Sequence, residues 1–231
     1  MSVIAIVANF VDMGTFGDFM INYSYIFHFV TALGMVTLFM FVDFNTISPG
    51  ANDNLTGTYA AVCALRMLDM AGVDFENTEV CAMITDGEEA GLRGCKSWAK
   101  NHYDEYVNSG VETVVLCVDT LTDRDYLRVY NKDMTGTVKN NQQFSQLVMD
   151  ASKDAGHDDI ELSSVFFGSS DAAAFSQAGI TATCLAAMDP RPADYYHNRR
   201  DTADRLVPET IKTGFDVIIS TILNFDEKGL N

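Results

Sequence analysis

The chain has no lysine or arginine before Arg66, and basic residues stay scarce throughout: 15 Lys and Arg against 32 Asp and Glu, a formal net charge of −17. A phosphate backbone needs a basic face, so this balance excludes nucleic acid as a partner. A secretory leader opens with a charged stretch, and Met1-Ser2-Val3-Ile4 offers none. Residues 19–42 carry no formal charge at all. By length they could span a bilayer. They contain Asn22, Ser24, His28, Thr31, Gly34 and Thr37, however, and lack a basic flank to orient a span. The stretch is read as two or three buried strands in preference to a membrane segment, with a stretch foreign to the domain as the third reading. The 5 cysteines are odd in number and widely spaced, which leaves no disulfide framework and no thiolate metal site. Cys81, Cys117 and Cys184 sit in apolar runs, where a thiol acts as a small hydrophobe, and the pattern favours a reducing, cytoplasmic setting over a secreted one. No repeat, low-complexity tract or interdomain linker is present.

What remains is a chain of 231 residues with 48% hydrophobic content, enough for one domain over 1–231 with a sizeable core and an atypical part at 1–40. After Asp43 the rhythm becomes regular. Leu55, Tyr59, Val62, Cys63, Met67 and Met70 recur at helical spacing, and Gly72 closes that helix. Val80–Ile84 reads as a buried strand, and a helix opens at Glu89 or Ala90 and runs to about Tyr106. Val111–Val118 is a β-branched strand, and Tyr126–Tyr130 a more exposed one. Asn141–Ala155 is an amphipathic helix. Ser163–Phe167 and Ile180–Ala186 are strands with a short helix, Asp171–Ala178, between them. Leu206–Phe225 is a last helix with Pro208 in its first turn. The alternation predicts an α/β fold, a mostly parallel mixed central sheet with helices on both faces. Ligands of such sheets bind beyond the carboxyl ends of the strands. Asp43, Glu88, Glu89 and Asp119 all follow predicted strands, so they converge on one rim.

That rim has the chemistry of a metal site. Carboxylate oxygens with an imidazole suit Zn²⁺. Two metal ions about 3.5–4 Å apart need a shared carboxylate, and Asp53 is the best placed. Of the adjacent Glu88 and Glu89 on a turn, one can bind metal while its neighbour faces the water that attacks. The segments Ser48–Gly57, Asp86–Gly94, Asp119 and Tyr195-Tyr196-His197, in this order, resemble the zinc aminopeptidases of the co-catalytic exopeptidase type, which share their fold with glutaminyl cyclases and the transferrin-receptor ectodomain. The resemblance covers about residues 36–225. It implies Asp53 as the bridging ligand, Glu89, Asp119 and His197 as further metal ligands, Glu88 as general base, and a peptide as substrate.

The sequence departs from that family in one important place. Where relatives carry His-x-Asp, this chain has Phe41-Val42-Asp43. Phe41 cannot bind metal, and Asp43 keeps the positioning role without the imidazole it positions. Asp171-Ala172 stands where relatives often have Asp-His. The resemblance therefore implies one zinc ion or two, with the second held weakly. The readings left open are a metallo-aminopeptidase, a catalytically silent relative kept for binding, and a single-zinc glutaminyl cyclase. Beside them stand plainer readings: Asp53-Asn54 as a helix cap, Glu88-Glu89 as residues favouring a helix N-terminus, and Asp171 as a cap. His28, His102 and His157 are read as uninvolved.

Overall fold

The run Thr181–Ala187 shows how this sequence builds its sheet. Side chains of a strand alternate between faces. Ala182, Cys184 and Ala186 are buried in one apolar cluster, while Leu185 and Ala187 are buried in another. Both faces of this strand are thus covered by helices, which is why it reads as a continuous apolar run. In the computed structural model, which describes residues 18, 22–41, 47–166, 168–191 and 193–230, the internal contacts divide the chain into two units, 1–47 and 48–231.

The second unit is α/β. After a helical turn at Ala51–Thr56 come α2 (Gly57–Met70), α3 (Arg93–Tyr106), β1 (Val114–Asp119), β2 (Leu127–Asp133), β3 (Val138–Lys139), α4 (Gln142–Asp154), β4 (Leu162–Ser164), α5 (Asp171–Gln177), β5 (Thr181–Ala187) and α6 (Pro208–Lys228). The sheet is mixed, in the order β1-β5-β2-β3, with β4 also on β2. β1 runs parallel to β5, and β4 parallel to β2. β2 is antiparallel to β5 and to β3. Residues of α3 and α5 cover one face, and residues of α2, α4 and α6 the other. The fully buried Thr183 of β5, turned into the second face, meets Ser145 Oγ of α4 at 2.7 Å, so its burial leaves no orphan. Asn141 caps α4 by accepting from Phe144 N at 2.9 Å, and Pro208 opens α6 as expected.

Four expectations fail, each for a physical reason. The 19–42 run holds no buried strands among its described residues: Ser24–Phe41 is a helix, α1, and Phe29 is 70% exposed. A continuous apolar run lacks the period that separates strand from helix. Among the described residues no helix is long and apolar enough to cross a membrane. Val80–Ile84 carries no strand, because an extended segment needs a laddered neighbour and none of the described residues supplies one. Strand β2 is more buried than expected, with Leu127, Val129 and Tyr130 in the core. Helix α2 buries Gly57, Ala60, Ala64 and Leu68 and leaves the predicted stripe, Tyr59 and Met70 among it, exposed. Small side chains let its backbone approach the sheet. A Cβ on Gly57 would lie 2.3 Å from Val118 O, so only glycine fits there.

Candidate metal centre

The site grows from the carboxyl ends of β1 and β5 and from loops tied to them. The loop before α2 is held by Asp201, 1% exposed, whose carboxylate accepts from Asn52 N at 2.8 Å and Asp53 N at 3.0 Å. Asn54 couples this loop to the end of β1. Its Nδ2 donates to Val118 O at 3.0 Å, and its Oδ1 accepts from Thr120 N at 3.2 Å and Gly57 N at 3.0 Å. The peptide between Asp53 and Asn54 is cis. The hydrogen bonds of Asp201 and Asn54 hold the Asp53 loop against the end of β1, whose last residue is Asp119.

Glu88 and Glu89 lie on a turn that precedes α3. The helix expected from Glu89 or Ala90 begins at Arg93, because Gly91 and Leu92 adopt positive φ, 94° and 59°, and break any helical path there. Glu88 O accepts from Gly91 N at 2.9 Å and Leu92 N at 2.7 Å, and the buried Leu92 anchors the turn in the core. Gly94 closes it: a Cβ there would meet Asp86 O at 2.3 Å.

His197, at a φ of 55°, stacks on the Tyr196 ring with centroids 3.7 Å apart. Its Nε2 lies 3.1 Å from Asp53 Oδ2 and 2.9 Å from Glu89 Oε1. Ligand atoms of Asp53, Glu89 and His197 all lie within 4.8 Å of one another. Glu88 and Asp119 line the same cavity, of about 320 Å³. Five sequence-selected residues therefore meet at one place. Asp43 lies outside the described residues, and Phe41 ends helix α1 instead of the expected strand.

Crowded carboxylates raise one another's proton affinity. Burial, then Glu89, pushes Asp53 above the ordinary carboxylate range. Burial, then Glu89 and Asp171, lifts Glu88 to about 7. Burial, then Asp53 and Glu88, drives Asp119 well above its usual value. Asp119 Oδ1 is buried with no hydrogen-bond partner, a state that costs free energy unless something else satisfies it. A divalent cation would do so. The donor set of hard carboxylate oxygens and one imidazole fits zinc: Asp53, Glu89 and His197 could hold one ion, with Asp119 facing it from β1.

Asp171 does not line this cavity, though its charge raises both Glu88 and Asp119. Its Oδ2 accepts from Thr85 Oγ1 at 3.1 Å, and its Oδ1 is buried and unpartnered. Sequence reasoning gave no role to Asp201, Thr120 and Asp123, and took Tyr195 only as part of the His197 segment. Asp201 was visible only as an acid four residues beyond His197, and nothing in its local pattern announces that it clamps two amides of a distant loop.

The model of peptidase family M28 matches residues 35–222. No curated protein matches the chain. Among solved structures, the fold is similar to BSAP, a zinc aminopeptidase from Bacillus subtilis, at 23% identity over 76% of this chain and 42% of that one, TM-score 0.61. It is also similar to the LapA aminopeptidase of Legionella pneumophila, at 17% identity over 78% and 48%, TM-score 0.64. An aminopeptidase from Aneurinibacillus sp. strain AM-1 matches at 22% identity over 76% and 39%, TM-score 0.63. The chain spans less than half the length of each of these proteins. Their likeness is one of fold, and the family match covers most of the sequence: this chain belongs to peptidase family M28.

Proposed function

We propose that the chain is a zinc-dependent aminopeptidase that removes residues from the free N-terminus of peptides. The observation that carries the reading is the approach of His197 Nε2 to Asp53 and Glu89 at 3.1 and 2.9 Å, with Glu88 beside them in the same cavity. When bound, zinc supplies Lewis acidity that polarises a peptide carbonyl and makes a nearby water more acidic. The protein's own groups do the rest. Asp53, Glu89 and His197 hold the ion, and Asp119 completes the ring of negative charge around it. Glu88 takes the proton of the attacking water and returns it to the leaving amine. Tyr196, stacked on His197, fixes the plane of the imidazole. Asp53, Glu89 and His197 would hold one ion, and Phe41 stands where relatives carry a ligand histidine, so about one tightly held zinc per chain is the expected load.

The test is elemental analysis after dialysis together with hydrolysis of aminoacyl-4-nitroanilides. About one zinc per chain and turnover that is lost on chelation support the reading. Cyclisation of N-terminal glutamine without nitroanilide hydrolysis would move the assignment to a glutaminyl cyclase. A protein that binds zinc and does neither would be a silent relative.

A further inference from the structure

The cavity that holds Asp53, Glu89 and His197 has a second stretch of wall, built by the loops that follow β1 and β5. These strands are parallel neighbours with Asp119 paired to Ala186, so their loops leave the sheet side by side. Ala187 N donates to Thr120 O at 2.7 Å and ties them together. Each loop then delivers one carboxylate to the wall, Asp123 after β1 and Asp189 after β5. Between them the lining is apolar, from Ala187, Met188 and Ala193. Among the described residues of the lining there is no lysine or arginine.

Two features distinguish this wall. Thr120 is 7% exposed, its Oγ1 has no hydrogen-bond partner, and it lines the cavity. Its backbone is pinned by Asn54 and Ala187 at a φ of 43°, a left-handed conformation that a β-branched residue rarely adopts. Asp123 is held in place by Tyr195, whose hydroxyl donates to Oδ2 and accepts from Asn52 Nδ2 at 3.4 Å. Burial raises Asp123, the Tyr195 bond lowers it, and Asp189 raises it again. Asp189 accepts from Arg191 N at 2.8 Å. The exposed Arg191 side chain makes a long ion pair with Asp189, Nε to Oδ1 at 3.8 Å, and donates from Nη2 to Tyr126 Oη at 3.0 Å, so a substrate cation would displace an exposed partner there.

We propose that this wall is a subsite for a cationic side chain, so that the preferred substrates carry lysine or arginine at the N-terminus. Asp123 and Asp189 receive the charge, Ala187, Met188 and Ala193 pack along the methylene stem, and Thr120 Oγ1 accepts a hydrogen bond. The inference rests on the aminopeptidase reading, and its test separates the two. With zinc-loaded protein, kcat/KM is measured for the 4-nitroanilides of Lys, Arg, Leu and Glu. Lys and Arg should exceed Leu by about tenfold or more, mainly through KM, with Glu the poorest. Asp189→Asn and Asp123→Asn should each cut the Lys-to-Leu ratio about tenfold, and Thr120→Val several-fold. Leu turned over as well as Lys would overturn the subsite. So would a uniform loss for all four substrates in Asp189→Asn, which would put that carboxylate on the substrate's α-ammonium. If none of the four is hydrolysed, the aminopeptidase reading fails on its own, and calorimetry with L-lysinamide and L-leucinamide decides the subsite. Tighter lysinamide binding that Asp189→Asn abolishes upholds it, and equal binding overturns it.

Discussion

Glu88 and Glu89 are neighbours in sequence with opposite assignments, and the turn explains how. Glu89 Oε1 sits 2.9 Å from His197, while Glu88 lines the same cavity without entering the cluster of Asp53, Glu89 and His197 ligand atoms. Glu88→Gln should therefore keep its zinc and lose turnover by roughly 10²–10⁴-fold. Glu89→Gln should lose the zinc itself. Zinc analysis of both variants beside nitroanilide kinetics checks this, and equal metal loss would show that the two roles are misassigned. Asp201 makes a different kind of prediction. It lies outside the cavity lining and the ligand cluster, yet it clamps Asn52 N and Asp53 N. Asp201→Ala should destabilise the fold by about 1–3 kcal/mol, because one buried and one half-buried donor are left unpaired, and should weaken zinc binding as Asp53 loosens. Urea unfolding with zinc titration measures both, and unchanged zinc affinity would refute the clamp. The contrast shows what a sequence discloses at this scale. Asp53, Glu88, Glu89, Asp119 and His197 were legible as a set because the order and spacing of their segments resemble those of the family, and the fold brings them to one cavity. Asp201 and Thr120 were not, since their roles lie in backbone amides and in a φ angle that composition does not encode.

At the scale of elements the sequence was legible wherever period and punctuation agreed. Helix α4, with Asn141 as cap, and helix α6, with Pro208 at its start, fall within a few residues of their expected limits. It misled where size mattered more than hydropathy. In α2 the large apolar residues made the obvious stripe, but the sheet accepts only Gly57, Ala60, Ala64 and Leu68, since the helix packs too close for more. Gly57→Ala tests that closeness. Its Cβ would meet Val118 O at 2.3 Å and Asn54 Oδ1 at 2.5 Å, both part of the tie between the Asp53 loop and β1. The expected cost is about 1–3 kcal/mol or more, as for overpacking elsewhere, with a parallel loss of zinc affinity. An exposed glycine-to-alanine change within a helix would instead stabilise by up to about 1 kcal/mol. A stabilised Gly57→Ala protein in thermal melts would mean that α2 does not press on β1. The Val80–Ile84 segment and α1 mark the other limit. Short apolar runs fit helix or strand alike, and only a neighbouring edge decides.

For the whole molecule, the dominant fact is negative charge, −17 overall, some of it concentrated where a cation belongs. Without metal, that concentration sets the pH dependence of stability. Unfolded carboxyls titrate near pH 4, whereas folded Asp53, Glu88 and Asp119 are all raised, Glu88 to about 7. Between roughly pH 4 and 7 the folded state therefore holds more protons than the unfolded one, and the unfolding free energy falls as pH rises. The metal-free protein should melt at a lower temperature at pH 7.5 than at pH 5. General surface repulsion has the same sign, so the two causes must be separated. Exposed charges are screened beyond about 10 Å at 0.1 M salt, and buried ones far less. The slope should therefore persist in high salt, and Asp119→Asn should flatten it. Zinc acts in the opposite direction. It binds only the deprotonated carboxylates, so its affinity climbs with pH, and its contribution to stability follows that affinity. The rise in melting temperature on adding zinc should be larger at pH 7.5 than at pH 5. A metal-free protein that grows more stable over this range, or a zinc increment that ignores pH, would show that these carboxylates do not face one another across a cation site.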